Sequence, residues 1–210
     1  MTGASSGATR IGSTAPQALE FFAGIGLARL GLEEAGFHVA WSNDIDHAKC
    51  QMYRNQFGNN EQEHTLIEGD MGELHGSDLP HNISIAWGSS PCTDISLAGT
   101  RTGLNGKQSS AFWQYIRLLE EMGNNRPPVA VLENVAGLAT SHSGEDIAAA
   151  VSAFNQLGYS VDALSIDARR FVPQSRPRLF LVGLTNPPEG SQANSPLRPD
   201  WLQQVFADTS

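Results

Sequence analysis

The stretch Ile83-Ser84-Ile85-Ala86-Trp87-Gly88-Ser89-Ser90-Pro91-Cys92-Thr93-Asp94-Ile95-Ser96 decides how the chain is read. Its first five residues form a short apolar run bounded by turn formers, the mark of a buried strand. The run Gly88 to Pro91 ends it, because proline has no N–H to give a central ladder. Cys92 therefore stands at the carboxyl end of a strand, where open parallel sheets bind their ligands. Pro91 fixes its own φ and restricts Ser90, so the loop is stiff and the thiol is aimed. A free cysteine is more often a small buried hydrophobe. The neighbouring segments argue for chemistry instead.

Toward the N-terminus, Gln17 to Phe22 reads as a first strand and runs into Ala23-Gly24-Ile25-Gly26. Leu27, Leu30 and Leu32 then carry a helical pattern as far as Gly36. A strand, a glycine turn and a helix open a nucleotide-type site. Arg29 stands where a third glycine of that motif would be, so a plain structural turn fits the loop alone as well. Phe37 to Ser42 reads as the second strand, with Asn43 and Asp44 at its end. An acid about 20 residues past the glycine turn is placed for ribose hydroxyls. Asp44 takes that role here, and Asp46 takes the capping of a helix from His47 to Phe57. Cys50, inside that helix, reads as packing. A third short strand, His64 to Glu68, ends at Gly69-Asp70-Met71. Asp70 suits either an adenine amino group, with Met71 against the ring, or a solvated loop.

Beyond Cys92 the chain is rich in glycine and polar residues, with Arg101 and Lys107 supplying positive charge. Loops of this length are usually functional or mobile. An amphipathic helix spans Phe112 to Met122. Val129 to Leu132 is the fifth strand, with Glu133 at its end, beside the Cys92 strand if the order is doubly wound. A helix from Gly144 to Leu157 stops at Gly158, a good residue after a helix end. Tyr159 to Asp167 is a strand and Ala168 to Pro173 a connection. Gln174-Ser175-Arg176-Pro177-Arg178 then leads into a last strand, Leu179 to Leu184. In an extended segment Gln174, Arg176 and Arg178 face one way. Two guanidiniums on one face make an anion or carbonyl clamp.

The chain has 210 residues, 40% hydrophobic and 17% charged, which suits one domain with a sizeable core. A tail to residue 16, a domain over 17–185 and an extension over 186–210 are expected. Cys50 and Cys92 are far apart and make neither a disulfide framework nor a zinc spacing. The 6 histidines show no metal-ligand pattern, so no metal is expected. No apolar run is long enough for a membrane span, and the N-terminus lacks the apolar centre of a signal peptide. A reducing, cytoplasmic setting is expected. The net charge of −9 opposes a global nucleic-acid footprint. Any DNA contact must come from a local basic patch or from another chain.

Taken together, these motifs resemble the cytosine-C5 DNA methyltransferase family from about Ala18 to Gly183. Phe22-Ala23-Gly24-Ile25-Gly26 looks like its first motif, and Ser42-Asn43-Asp44 and Gly69-Asp70 look like the next two. Pro91-Cys92, Glu133-Asn134-Val135 and Gln174-x-Arg176-x-Arg178 match its catalytic motifs. Thr93 stands where the family usually has Gln. The resemblance implies a doubly wound, mostly parallel α/β fold of the Rossmann-like methyltransferase type. It implies S-adenosylmethionine bound by Phe22, Ala23, Gly24, Gly26, Asp44, Ile45, Asp70, Met71 and Pro91. It implies Cys92 as nucleophile on a flipped-out cytosine of double-stranded DNA. Glu133 would donate to the ring at N3, Arg178 would bind O2, and Arg176 would organise Cys92 and Glu133. The family normally continues with a target recognition region and two more motifs, and little chain follows Arg178. A prokaryotic or phage protein, whole or split with a second chain, is expected. A non-catalytic subunit, an RNA cytosine methyltransferase and, more distantly, a nicotinamide dehydrogenase stay open as alternatives.

Overall fold

The computed structural model describes residues 15–58, 60, 63–91 and 111–189. Cys92, Arg101 and Lys107 lie outside them, as do the tail to residue 14 and the extension from 190. The strands are β1 (Gln17–Phe21), β2 (His38–Asp44), β3 (Thr65–Glu68), β4 (Ile83–Ser89), β5 (Val129–Val135), β6 (Ser160–Asp167) and β7 (Pro177–Leu184). The α-helices are α1 (Leu27–Glu34), α2 (His47–Phe57), α3 (Ala111–Glu121) and α4 (Glu145–Gln156).

The strands form one sheet in the order β3-β2-β1-β4-β5-β7-β6. Strands β1 to β5 pair in parallel. Strand β7 runs antiparallel to both β5 and β6. β6 therefore points the same way as β5, and the carboxyl ends of β1, β2, β4, β5 and β6 share one rim. The strand order reverses at β1–β4, the switch point where such sheets bind ligands.

Helix α3 shows why these residues fold as they do. Phe112, Tyr115, Ile116 and Leu119 recur at the spacing of one helical face, and all are buried. They pack with Leu19, Phe21, Ala86, Leu132 and the α4 residues Ile147, Ala150 and Phe154 in one cluster. Each such side chain contributes about 1.5–3 kcal/mol on full burial. The Tyr115 hydroxyl donates to the carbonyls of Ala86 (3.1 Å) and Val131 (3.2 Å), so its polar tip is satisfied inside the core. The opposite face is thinner: Ala18, Leu32, Val39, Ile85 and Val131 make a smaller cluster.

Several strand ends differ from the sequence expectation: β2 runs on to Asp44 and β4 to Ser89, while β1, β3 and β6 are each one residue shorter. β5 continues past Leu132 to Val135, so Glu133 lies within the strand, opposite Ser89 of β4 and Phe180 of β7. Neighbours on both sides carry the ladder onward. β7 begins at Pro177, before Leu179, and Pro177 pairs only with Asp167 of β6. A proline is tolerated there because it opens the strand.

Candidate active site

The turn after β1 is built from unusual backbone. Phe22, Gly24 and Gly26 all have positive φ, at 57°, 57° and 87°. Glycine adopts this region freely, whereas Phe22 is strained in it. A Cβ at Gly26 would sit 2.2 Å from a ring carbon of Phe57, so only glycine fits between the turn and α2. Two acids fasten the turn to the sheet. Asp44, at the end of β2, accepts the N–H of Gly24 at 2.7 Å and that of Asp46 at 2.9 Å. Asp46 caps α2, accepting the N–H of Lys49 at 3.1 Å. The capping and turn-holding roles thus fall on different carboxylates.

Glu20 is the second fastening acid. It is fully buried in β1, among otherwise apolar neighbours. One carboxyl oxygen accepts the N–H of Arg29 in the first turns of α1, at 2.9 Å. The other accepts the hydroxyls of Ser42 and Tyr53, each at 2.9 Å. His64 Nε2 closes the cluster at 3.0 Å from the Ser42 hydroxyl. Burial raises the Glu20 carboxyl above its ordinary value despite these donors. Burial also holds the His64 imidazole down at about 4. Arg29, at the place of the missing third glycine, is used in full. Its side chain pairs with Glu33 at 2.6 Å and lies 4.3 Å over the Phe57 ring.

A cavity of about 370 Å³ opens beside this turn at the switch point. Phe22, Gly24, Asp44, Ile45, Asp70, Met71 and Pro91 line it, with Ser89, Asn43, Lys49 and Gln114 among the others. Ala23 and Gly26, expected from the sequence to join them, belong to the turn but do not line the cavity. Asp70 caps the short 3-10 turn that follows β3 by accepting the N–H of Gly72 at 2.8 Å. Met71 is buried, while Ile45 is 69% exposed. An ionised carboxylate has about four acceptor positions, so both acids keep lone pairs for a ligand's hydroxyl or amino groups. Apolar walls with a few convergent polar groups suit a nucleoside-sized molecule.

The second part of the site lies along β5. Arg178 Nε is 2.8 Å from Glu133 Oε1, with side-chain exposures of 19% and 22%. Arg176 precedes β7; its N–H is held by Asp167 at 2.8 Å and its residue is exposed. Of the two arginines, Arg178 is therefore the one on Glu133, because it alone lies in the strand paired with β5. Asn134 donates from Nδ2 to the Ser90 hydroxyl at 2.9 Å. This bond ties β5 to the loop that leads through Pro91 to Cys92. Thus Asn134 holds Ser90 at the edge of the cavity, and Glu133, the preceding residue of β5 and opposite Ser89, carries Arg178. The sequence signal for Glu20 is a lone acid in an otherwise apolar strand. Among the described residues no helix is long and apolar enough to cross a membrane.

Residues 17–204 match the family model of C-5 cytosine-specific DNA methylases. The type II methyltransferase M.NgoFVII of Neisseria gonorrhoeae is 31% identical over 175 residues, covering 82% of this chain and 44% of that protein. M.Eco47II of Escherichia coli is 30% identical over 180 residues, covering 85% and 42%. The orphan methyltransferase M.SPRI of Bacillus phage SPR is 30% identical over 169 residues, covering 79% and 37%. The chain thus spans less than half the length of these three relatives. Among solved structures, the S. pombe Dnmt2 methyltransferase superposes with a TM-score of 0.62 at 20% identity, covering 86% of this chain and 57% of that one. A Spodoptera frugiperda DNMT2 mutant gives 0.67 at 19% identity, covering 86% and 54%. At these identities the likeness is one of fold: an α/β layer architecture on a mostly parallel sheet.

Proposed function

The chain belongs to the C-5 cytosine-specific DNA methylase family, and from that premise we propose that it methylates C5 of a flipped-out cytosine through a covalent adduct with Cys92. The observation that carries this reading is the Glu133–Arg178 pair at 2.8 Å, on the strand whose Asn134 holds the loop leading to Cys92. The adjoining cavity, with Phe22, Asp44, Asp70 and Met71 in its wall, supports a nucleoside-type methyl donor. Its apolar faces fit an adenine ring and its two acids fit ribose hydroxyls and an amino group. S-adenosylmethionine, when bound, supplies the methyl group as an electrophilic sulfonium.

The chain's own residues do the rest. C5 of cytosine is a poor nucleophile. The Cys92 thiolate adds to C6, and C5 becomes enamine-like. Negative charge then builds at N3 and O2 of the ring. Glu133 shares a proton with N3 as general acid, and Arg178, in contact with Glu133, faces the same charge. Once C5 carries the methyl group, loss of its proton expels the thiolate and restores the ring. The Asn134–Ser90 bond holds Ser90, two residues before Cys92, beside β5. Only the thiolate adds to C6, a thiol ionises near ~8.5 when unperturbed, and a cation at this rim such as Arg178 favours the ionised form. The base leaves the duplex to reach these groups. Target recognition and the remaining family motifs belong to further sequence or to a second chain, given the share of the relatives that is matched.

The test is methyl transfer to plasmid DNA, alone and with a polypeptide that supplies the unmatched half of a relative. Trapping on a duplex containing 5-fluorocytosine adds a direct readout of the thiol. Cys92→Ser should abolish both and leave S-adenosylmethionine binding unchanged. A Cys92→Ser protein that still forms the adduct, or that loses the cofactor, would overturn the assignment. Transfer to tRNA in preference to duplex DNA would move the substrate to RNA.

A further inference from the structure

The rim that carries Glu133 and Arg178 extends into an exposed basic turn that the chemistry above leaves unused. β6 and β5 both run antiparallel to β7, so the end of β6 lies at the same rim as the end of β5. Residues 168–176 turn there, between Asp167 and Pro177, the final pair of the β6–β7 ladder. Asp167 fastens the turn at both ends. Its carboxylate accepts the N–H of Arg169 at 3.0 Å, the N–H of Arg176 at 2.8 Å and the Ser175 hydroxyl at 2.9 Å. The Phe171 and Val172 N–H groups both donate to the Ala168 carbonyl at 2.9 Å. The backbone donor of Arg169 and its companions hold the Asp167 carboxyl below its ordinary value. The fastening is therefore present at neutral pH.

What this hydrogen-bonded turn presents is unusual for a surface. Phe171 is 78% exposed and Val172 49% exposed. They lie between Arg169–Arg170 and Arg176. Arg169 pairs with Asp167 through Nε at 3.0 Å and is 72% exposed. Arg170 and Arg176 make no ion pair among the described residues. In a chain of net charge −9 this is a concentration of positive charge at one point. A polyanion repelled by the rest of the surface is steered there. Arginines beside an exposed aromatic ring match phosphates beside base faces.

We propose that the β6–β7 turn is this chain's own contact with duplex DNA. Arg169, Arg170 and Arg176 lie on phosphates flanking the target base, and Phe171 lies against a base face beside the place the target leaves. The proposal rests on the cytosine-flipping reading above, because the turn shares a rim with Glu133 and Arg178.

The experiment is fluorescence anisotropy of the purified chain with a labelled duplex across a salt series. Arg169→Ala with Arg170→Ala should weaken binding tenfold or more at low salt and flatten the log–log salt slope by about 2. Lysine at both positions should restore the slope. Phe171→Ala should weaken binding about five- to tenfold with the slope unchanged, since stacking releases no counterions. Phe171→Trp should keep the affinity. Adduct formation with 5-fluorocytosine, measured on the same proteins, separates the two readings. If the wild-type chain forms no adduct while the variants show these slope changes, the DNA contact stands and the chemistry falls. A wild-type chain that forms the adduct, while the arginine and Phe171 variants bind duplex as it does, loses the contact and retains the chemistry. Failure of the wild-type chain to bind duplex at low salt, or preference for folded RNA through the same residues, also overturns the contact.

Discussion

Arg178 and Glu133 meet diagonally across β5 and β7. Glu133 lies directly opposite Phe180 and Arg178 directly opposite Val135, yet Arg178 Nε reaches Glu133 Oε1 at 2.8 Å. Diagonal neighbours in an antiparallel pair are about 7–8 Å apart at Cα, within reach of long side chains. The two strands therefore set both the place and the angle of the carboxyl group, and the guanidinium keeps it from turning away. Arg178→Ala should lower methyl transfer by about 10²-fold or more, with the cofactor dissociation constant within about twofold. Single-turnover rates and calorimetry on the same protein check this. Loss of cofactor affinity in step with the rate would mean that Arg178 supports the cavity instead.

Asp44 joins the cavity to the glycine turn, since one oxygen holds Gly24 at 2.7 Å while the residue lines the cavity wall. Asp44→Ala removes an acceptor from Gly24, and from Asp46 as well. It should raise the cofactor dissociation constant at least tenfold, about 1.4 kcal/mol. Asp44→Asn keeps an acceptor oxygen for one N–H and should fall between. Equal affinity in all three proteins would reduce Asp44 to a loop residue with no ligand.

Glu20 serves stability before chemistry. Removing its carboxyl leaves the Arg29 N–H without its acceptor and takes one partner from the Ser42 and Tyr53 hydroxyls, which keep each other and His64. Each buried group left without a partner costs about 1–3 kcal/mol. Glu20→Ala should therefore lower stability by about 2–4 kcal/mol in urea unfolding. Glu20→Gln keeps the size and one acceptor and carries no charge to desolvate, so its loss should be smaller. A Gln variant less stable than the Ala variant would show that the charge itself is required.

The legible parts of this molecule are those specified locally. The helix His47–Phe57 and its Asp46 cap follow from adjacent residues, so sequence spacing alone defines them. The cavity-lining residues Phe22, Gly24, Asp44, Asp70 and Pro91 were legible because each sits at or just past the end of an apolar run. Glu133 read as a residue beyond its strand, because its ladder is extended by β4 and β7, which are distant in sequence. The Glu20 cluster was illegible for a similar reason: Ser42, Tyr53 and His64 come from β2, α2 and the approach to β3. The insertion of β7 between β5 and β6 is a choice of pairing partner, which hydrophobic periodicity does not encode.

His64 gives the fold a defined response to acid. Its folded value lies at about 4, below the ordinary 6.5, because burial disfavours the imidazolium. Below 6.5 the unfolded chain takes up a proton here that the folded chain refuses. The stability His64 contributes as a neutral ring is therefore present above 6.5 and lost as pH falls toward 4. Glu20 opposes this at the acid end, since its raised carboxyl binds a proton more readily when folded. Urea unfolding at pH 7 and pH 5 isolates the histidine when the wild type is compared with His64→Gln, which keeps Glu20. The wild type should lose more stability than the variant over that interval. Equal losses would place the proton uptake elsewhere.

Gly26 is where the turn's backbone and the packing of α2 meet. Its φ of 87° lies in a region that costs an L-residue about 1–2 kcal/mol. The added carbon of Gly26→Ala would also stand 2.2 Å from one Phe57 ring carbon and 2.9 Å from a Tyr53 ring carbon. The Phe57 ring can swing, but it lies under the Arg29 guanidinium at 4.3 Å, so moving it disturbs that contact too. Gly26→Ala should cost about 2–4 kcal/mol of stability and weaken the cofactor, because the turn bearing Gly24 shifts with it. Gly26→Ala combined with Phe57→Leu relieves the Phe57 clash and leaves the Tyr53 contact and the backbone strain. Measured against Phe57→Leu alone, the double variant should regain part of the stability, and the part not regained reports the left-handed conformation together with the Tyr53 contact. Full recovery would mean that the ring contact, not the backbone angle, requires glycine at this position.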